Sequence, residues 1–215
     1  TMLSDGDTLS AKITSTTGSK LKVEQLITFD VDDKYYKNTV TLTNLHSASL
    51  DDVRFARTMD SDQTANDWTS GSYTTINTIE NTFAAGDSVA AVSATATGTT
   101  AYFAAATDDV APQITYFSED STAKASYNLG SGLYESGGIY AADLYASAAS
   151  KGSSRTHDSY IGITTDKGTM AAGATAEFIY FTSFDGVKDA STIVSDIATA
   201  AAEAEAAAAA AAAEA

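Results

Sequence analysis

The chain has 215 residues, carries 12 Lys plus Arg against 28 Asp plus Glu for a net charge of -16, and contains no cysteine. That charge repels nucleic-acid phosphates and anionic lipid, and the missing thiols exclude disulfides, thiolate metal sites and a cysteine nucleophile. The length suits one substantial all-β domain with its own core, and a composition rich in Ala, Ser, Thr, Asp and Tyr resembles that of an exported bacterial surface protein.

Residues 8–14 alternate weakly up to the Gly18-Ser19 break and suit either an edge strand or an ordered N-terminal arm. Leu21, Val23, Leu26, Ile27 and Phe29 mark a stronger strand, after which Asp30, Asp32 and Asp33 read as a solvated acidic turn or as part of a divalent-cation site. Over residues 40–45, the period of two puts Val40, Leu42 and Asn44 on one side and Thr41, Thr43 and Leu45 on the other. A polar loop over 46–51 leads to a second extended run over 52–59. There Val53, Phe55, Arg57 and Met59 share one face, and Arg54, Ala56 and Thr58 the opposite one.

Residues 73–79 again predict a strand, which Asn81-Thr82-Phe83 continues before a turn at Ala85-Gly86-Asp87. Residues 88–96 and 99–104 follow as a hairpin-like pair broken at Gly98, rich in the branched side chains that favour a pleated surface. Pro112 places 108–112 in a loop, 113–117 reads as a short strand, and 119–120 opens a polar connection. The glycine-bearing stretch 130–138 lacks the spacing of a phosphate loop. Residues 139–149 fit a helix through Ile139, Ala142, Leu144 and Tyr145, or a strand through Tyr140, Ala142, Leu144 and Ala146; a strand or irregular structure is the preferred reading.

Beyond the polar stretch 151–158, residues 160–164 read as a strand and 166–168 as a turn. In 176–182, Ala176, Phe178, Tyr180 and Thr182 share one side while Glu177, Ile179 and Phe181 share the other. Residues 191–215 predict an alanine-rich helix, since alanine loses no side-chain entropy on becoming helical, with Ile193, Val194 and Ile197 as a docking stripe. Glu203, Glu205 and Glu214 argue against a membrane span there, and no basic start followed by an apolar run reads as a signal peptide. The chain is thus expected to be mainly β: an antiparallel β-sandwich or jelly-roll-like domain over 1–188, with a possible N-terminal arm, and an alanine-rich α-helical extension or linker over 189–215.

Asp60, Asp62, Thr64, Asn66 and Asp67 bring hard oxygen ligands together in one loop and form the candidate calcium site, although the glycine and distal Glu of an EF-hand are missing. A solvated acidic loop is the competing reading. Arg57 is expected to pair with Asp60 or Asp62 and orient that turn. Glu119, Asp120 and Glu177 supply carboxylates, but glycosidase chemistry needs two at a set separation across a bond, so no catalytic residue is assigned. His46 and His157 lack the partners of a triad or a metal pair and read as loop residues. Trp68, Tyr127, Tyr134, Tyr140 and Tyr145 would serve a glycan platform, or simply pack.

The order Asn44, Leu50, 51–57 and Asp60-Ser61-Asp62, with the later Gly168-Thr169-Met170 and 172–178, resembles secreted bacterial β-sandwich modules of large surface or extracellular proteins. Val53, Arg57, Asp60 and Asp62 match a Val-x-x-x-Arg strand running into an Asp-x-Asp turn, and the late glycine turn feeds an aromatic-rich strand. Ala172 stands where a proline often precedes that glycine. The resemblance spans most of 22–182 through sparse motifs and leaves the alanine-rich tail unexplained. It implies a structural or adhesive module without a catalytic set. The expected function is therefore a non-enzymatic extracellular or cell-surface module, as a homo-oligomer, a filament subunit or one domain among neighbours, and the alternative is a calcium-supported carbohydrate-binding module with a glycan partner.

Overall fold

The computed structural model describes residues 2–5, 8–31, 33, 35–61, 74–97, 113–127, 141–146, 149–184, 192, 195 and 199. Four strands open the chain: β1 (Met2–Asp5), β2 (Thr8–Thr17), β3 (Leu21–Asp30) and β4 (Tyr35–Asn44), each paired antiparallel with the next. Residues 8–14 thus lie in β2, bonded on both sides, and the edge position among the described strands falls to β1. Between β2 and β3, Lys20 N donates to Thr17 O at 3.1 Å, and Gly18 (φ 55) and Ser19 (φ 57) both take the left-handed conformation that matches strand twist.

The chain then alternates between two layers. β5 (Arg54–Asp60), β9 (Ala123–Tyr127) and β11 (Tyr160–Asp166) form a small sheet in the order β5-β11-β9. β6 (Thr75–Asn81), β7 (Ala90–Ala96), β8 (Gln113–Ser118), β10 (Ser154–His157) and β12 (Thr175–Ser183) join the first four strands in a large one, in the order β1-β2-β3-β4-β12-β8-β7-β6-β10. The protein is an antiparallel β-sandwich. Its core lies between Val40, Leu42, Val92, Tyr116, Phe178 and Tyr180 of the large sheet and Ala123, Ala125, Ile161 and Ile163 of the small one, all at most 4% exposed.

Three local expectations need correction. A short helix, α1 (Ala141–Ala146), stands where a strand or irregular segment was preferred. It packs on the small sheet, burying Leu144 and also placing Tyr145 inward, with Lys124 Nζ 3.9 Å from its ring centre; a strand would send these neighbours to opposite faces. The strand predicted to continue through Phe83 stops at Asn81, because Thr82 caps a 3₁₀ turn (Phe83–Ala85) by accepting from Ala85 N at 3.2 Å, and Gly86 closes it at φ 86. β9 and β10 also arise in stretches read as polar connections.

The passages from β4 to β5 and from β11 to β12 both cross between sheets, and they do so side by side. Leu50 and Met170 exchange backbone hydrogen bonds at 2.9 and 2.8 Å, Val53 N donates to Gly168 O at 2.9 Å, and Lys167 N donates to Val53 O at 2.8 Å. The buried Asn44 pins the corner: its Nδ2 donates to the carbonyls of Ala48, Met170 and Ala171, each at 2.9 Å, and its Oδ1 accepts from His46 N at 2.8 Å. Arg54 Nε meets Asp166 at 2.7 Å, and Thr169 Oγ1 donates to Asp51 at 2.9 Å. Much of the motif that carries the family resemblance is thus the fastening of this corner.

Of the predicted C-terminal helix, Thr192, Ser195 and Thr199 are described and helical, with Thr199 Oγ1 donating to Ser195 O at 2.8 Å; the rest of 191–215 lies outside the described residues. Among the described residues no helix is long and apolar enough to cross a membrane.

Candidate functional site

Among the described strands the three-stranded sheet faces only part of the large one, and β5 borders the rest of its inner face. Register fixes what that face presents. Thr182 on β12 lies opposite Tyr116 on β8 and Tyr36 on β4; one row inward, Tyr180 lies opposite Asn38; Gln25 on β3 lies opposite Val40. Because side chains alternate along a strand, these residues all project to the same side, where neighbouring strands stand about 4.8 Å apart. Phe184, just past β12, continues the row, with its ring centre 5.7 Å from that of Tyr36. From the facing sheet, Phe55 packs on Phe178 and Tyr180, and Arg57, on the same side of β5, reaches the tyrosines.

The hydrogen bonding of this cleft is incomplete among the described residues. Gln25 Nε2 donates to Asn38 Oδ1 at 2.8 Å and to Tyr180 Oη at 2.9 Å. Asn38 Nδ2, Tyr116 Oη and Thr182 Oγ1 are buried and find no partner. The exposed guanidinium of Arg57 comes close enough to Tyr116 to influence its titration without the geometry of a hydrogen bond. Burial pushes the Tyr116 and Tyr180 phenols up and Arg57 opposes this only in part, so both remain protonated hydroxyls at neutral pH. Burial alone would weaken the hold of Arg57 on its proton, and the Tyr116, Tyr180 and Tyr36 hydroxyls reverse that. Among the described residues no carboxylate lies within ion-pairing distance of Arg57.

The expected ligands gather only in small part. Asp60 ends β5 opposite Tyr160, while Asp62, Thr64, Asn66 and Asp67 lie outside the described residues, as do Trp68, Tyr134 and Tyr140. Among the described residues no group of three His, Asp or Glu gathers as a cation site. Of the partners expected for Arg57, Asp60 forms no ion pair with it and Asp62 lies outside the described residues, while Arg54 pairs with Asp166 and Asp52. Tyr145 lies beneath Lys124 and Tyr127 packs at the core margin. His46 Nδ1 accepts from Ala48 N at 3.3 Å and His157 Nδ1 meets the Asp158 carbonyl at 2.7 Å, so both serve their own loops.

Glu119, Asp120 and Glu177 do share one depression, of about 350 Å³, with Lys37 on the outer face of the large sheet. Asp120 is committed there: burial would push its carboxyl up, but Lys167 and Thr122 outweigh this and hold it below the usual carboxylate range. A larger cavity of about 510 Å³ lies between the turn after β6, β9 and α1, lined by Phe83, Tyr145, Lys124 and several alanines. Of its polar groups, Thr122 Oγ1 bonds to Asp120 and Thr165, both at 2.6 Å, and Lys124 sits on Tyr145.

No family model and no curated relative matches the chain. Among solved structures it is similar to a protein assigned as a kojibiose phosphorylase from the human microbiome, at 12% identity and a TM-score of 0.42, covering 92% of this chain and 21% of that one. It is also similar to a protein assigned as an aldose 1-epimerase from Klebsiella pneumoniae, at 8% identity and a TM-score of 0.35, covering 90% of this chain and 55% of that one. The chain therefore spans about a fifth and about half of the length of these two proteins.

Proposed function

We propose that the chain is a non-enzymatic adhesion or structural module of an extracellular or cell-surface bacterial protein, and that it holds its ligand in the cleft on the inner face of the large sheet. The cleft carries this reading. Its described lining consists of a guanidinium, amides, hydroxyls and aromatic rings, which suit a polar molecule. The expected test is NMR titration against a glycan panel, with shifts centred on the Gln25 and Asn38 side-chain amides and no change in the glycan. Shifts centred elsewhere, or a released product, would overturn the reading.

The carbohydrate-binding alternative shares this cleft and adds calcium at the acidic run that begins with Asp60. A calcium-dependent rise in Tm that is lost in Asp60→Asn supports that addition, and an unchanged Tm removes it. Assembly with a second copy of the chain is favoured by a separate observation. Among the described strands β1 stands at a sheet edge, and beside it Leu9 (46% exposed) and Ile13 (53%) lie on one face and Leu26 (39%) on the other. Sedimentation would show a concentration-dependent dimer that the double variant Leu9→Ser and Ile13→Ser disperses; a monomer at all concentrations argues against it.

A further inference from the structure

The ligand of the cleft can be narrowed, on the reading just given. We infer that it is a carboxylate-bearing sugar: its carboxylate sits on Arg57, its ring lies against Tyr36 and Phe184, and its hydroxyls meet Tyr116, Asn38 and Thr182.

The charge pattern points to Arg57 first. Lys12, Lys22, Arg54, Lys151 and Lys167 each hold a carboxylate within 3.4 Å, in a chain with 28 acidic residues. Arg57 holds none among the described residues, as is also true of Lys20, Lys37, Lys124 and Arg155, but Arg57 is the one set beside the buried tyrosines of the large sheet. A planar guanidinium with parallel N–H donors is the group best matched to a carboxylate, which it takes through two hydrogen bonds at once. Placed among phenol hydroxyls, it offers that arrangement to an outside partner.

The three orphaned atoms point to a hydroxylated ligand. Asn38 Nδ2 is a donor, and the Tyr116 and Thr182 hydroxyls donate and accept. Buried polar groups are nearly always partnered, so three without partners on adjacent positions of one sheet face require an account. A sugar supplies both donors and acceptors at that spacing. Tyr116, Asn38 and Thr182 are at most 1% exposed, whereas Arg57 is exposed. On this inference Arg57 shifts toward the incoming carboxylate and the buried hydroxyls become reachable as it does so. The rings of Tyr36 and Phe184, the latter 57% exposed, supply an apolar surface for the C–H face of a sugar, which a peptide terminus would not need.

The test is an array of uronate and sialate oligosaccharides, their methyl esters, neutral counterparts and peptides with free C-termini, followed by calorimetry on the best binder. Wild type is expected to bind the acid at least about tenfold more tightly than the ester. Arg57→Met removes that preference, weakening the acid about tenfold while leaving the ester unchanged, and Tyr36→Ala weakens acid and ester alike. Retained Tm in Arg57→Met establishes that the variant is folded, and Arg57→Lys, which keeps the charge but not the fork, recovers only part of the preference. Equal binding of acid and ester overturns the carboxylate assignment while leaving the cleft as a ligand site. Capture of the peptide acids through Arg57 with no saccharide bound overturns the sugar assignment. Failure of every probe overturns both this inference and the function proposed above.

Discussion

The corner around Asn44 and the cleft around Asn38 are two buried amide sites on the same strand, six residues apart, and they are built to opposite ends. At the corner every polar atom of the amide is used, with three carbonyls on Nδ2 and one backbone N–H on Oδ1. In the cleft, Asn38 uses its oxygen for Gln25 and leaves its nitrogen without a partner, beside two hydroxyls in the same condition. A buried amide that closes its hydrogen bonds holds the fold, because removing it strands several groups at once; one that leaves them open contributes little to the fold and keeps donors for something else.

Substitution separates the two. Asn44→Ala strands the Ala48 carbonyl and the His46 N–H, takes a second donor from the Met170 and Ala171 carbonyls, and should cost on the order of 3 kcal/mol in urea denaturation. The Asp120–Lys167 pair, which ties the turn between β8 and β9 to the same corner, comes next; Asp120→Asn should cost roughly 1.5 kcal/mol at pH 7. The Asp120 carboxyl is held below its ordinary value in the folded protein, so its contribution is complete above the unfolded carboxylate range near pH ~4 and disappears as pH falls below that. Denaturation at pH 7 and at successively lower pH should show the gap between Asp120→Asn and wild type closing in that direction.

Within the cleft the effects shrink. Tyr180→Phe removes an acceptor of Gln25 Nε2 and should cost about 1 kcal/mol. Tyr116→Phe removes a hydroxyl with no partner and should leave stability within about 0.5 kcal/mol of wild type, or raise it. A loss above about 1 kcal/mol in Tyr116→Phe would show that this hydroxyl is engaged, and would erase the contrast between the two sites.

The strands that build the sandwich were legible wherever branched and aromatic residues alternate, as in β4, β5, β11 and β12, and the shared face of Phe178, Tyr180 and Thr182 follows from parity alone. β9 and β10 were not, since Ala-Lys-Ala-Ser-Tyr and Ser-Arg-Thr-His carry little strand preference and owe their conformation to the neighbours they pair with. The cleft escaped for a different reason. Its residues come from β3, β4, β5, β8 and β12, and parity says which way each side chain points but not that β12 inserts between β4 and β8. Arg57 illustrates the limit: its closeness in sequence to Asp60 suggested an ion pair, whereas the strand's twofold alternation aims it across the sandwich at tyrosines distant in the chain.

The position of β1 at a sheet edge and of β12 in the middle has a mechanical consequence. Tension entering through the N-terminal end of the sheet meets β1, then β2, then β3, whose outer members lie beyond the cover of the small sheet and can peel away one strand at a time. Tension entering through β12 meets a strand bonded on both sides by β4 and β8 and packed through Phe178 and Tyr180 into the core. It would have to shear many bonds at once. A sandwich loaded in this way yields at one end while the part framed by β4, β12 and β8, where the ligand is proposed to sit, keeps its shape.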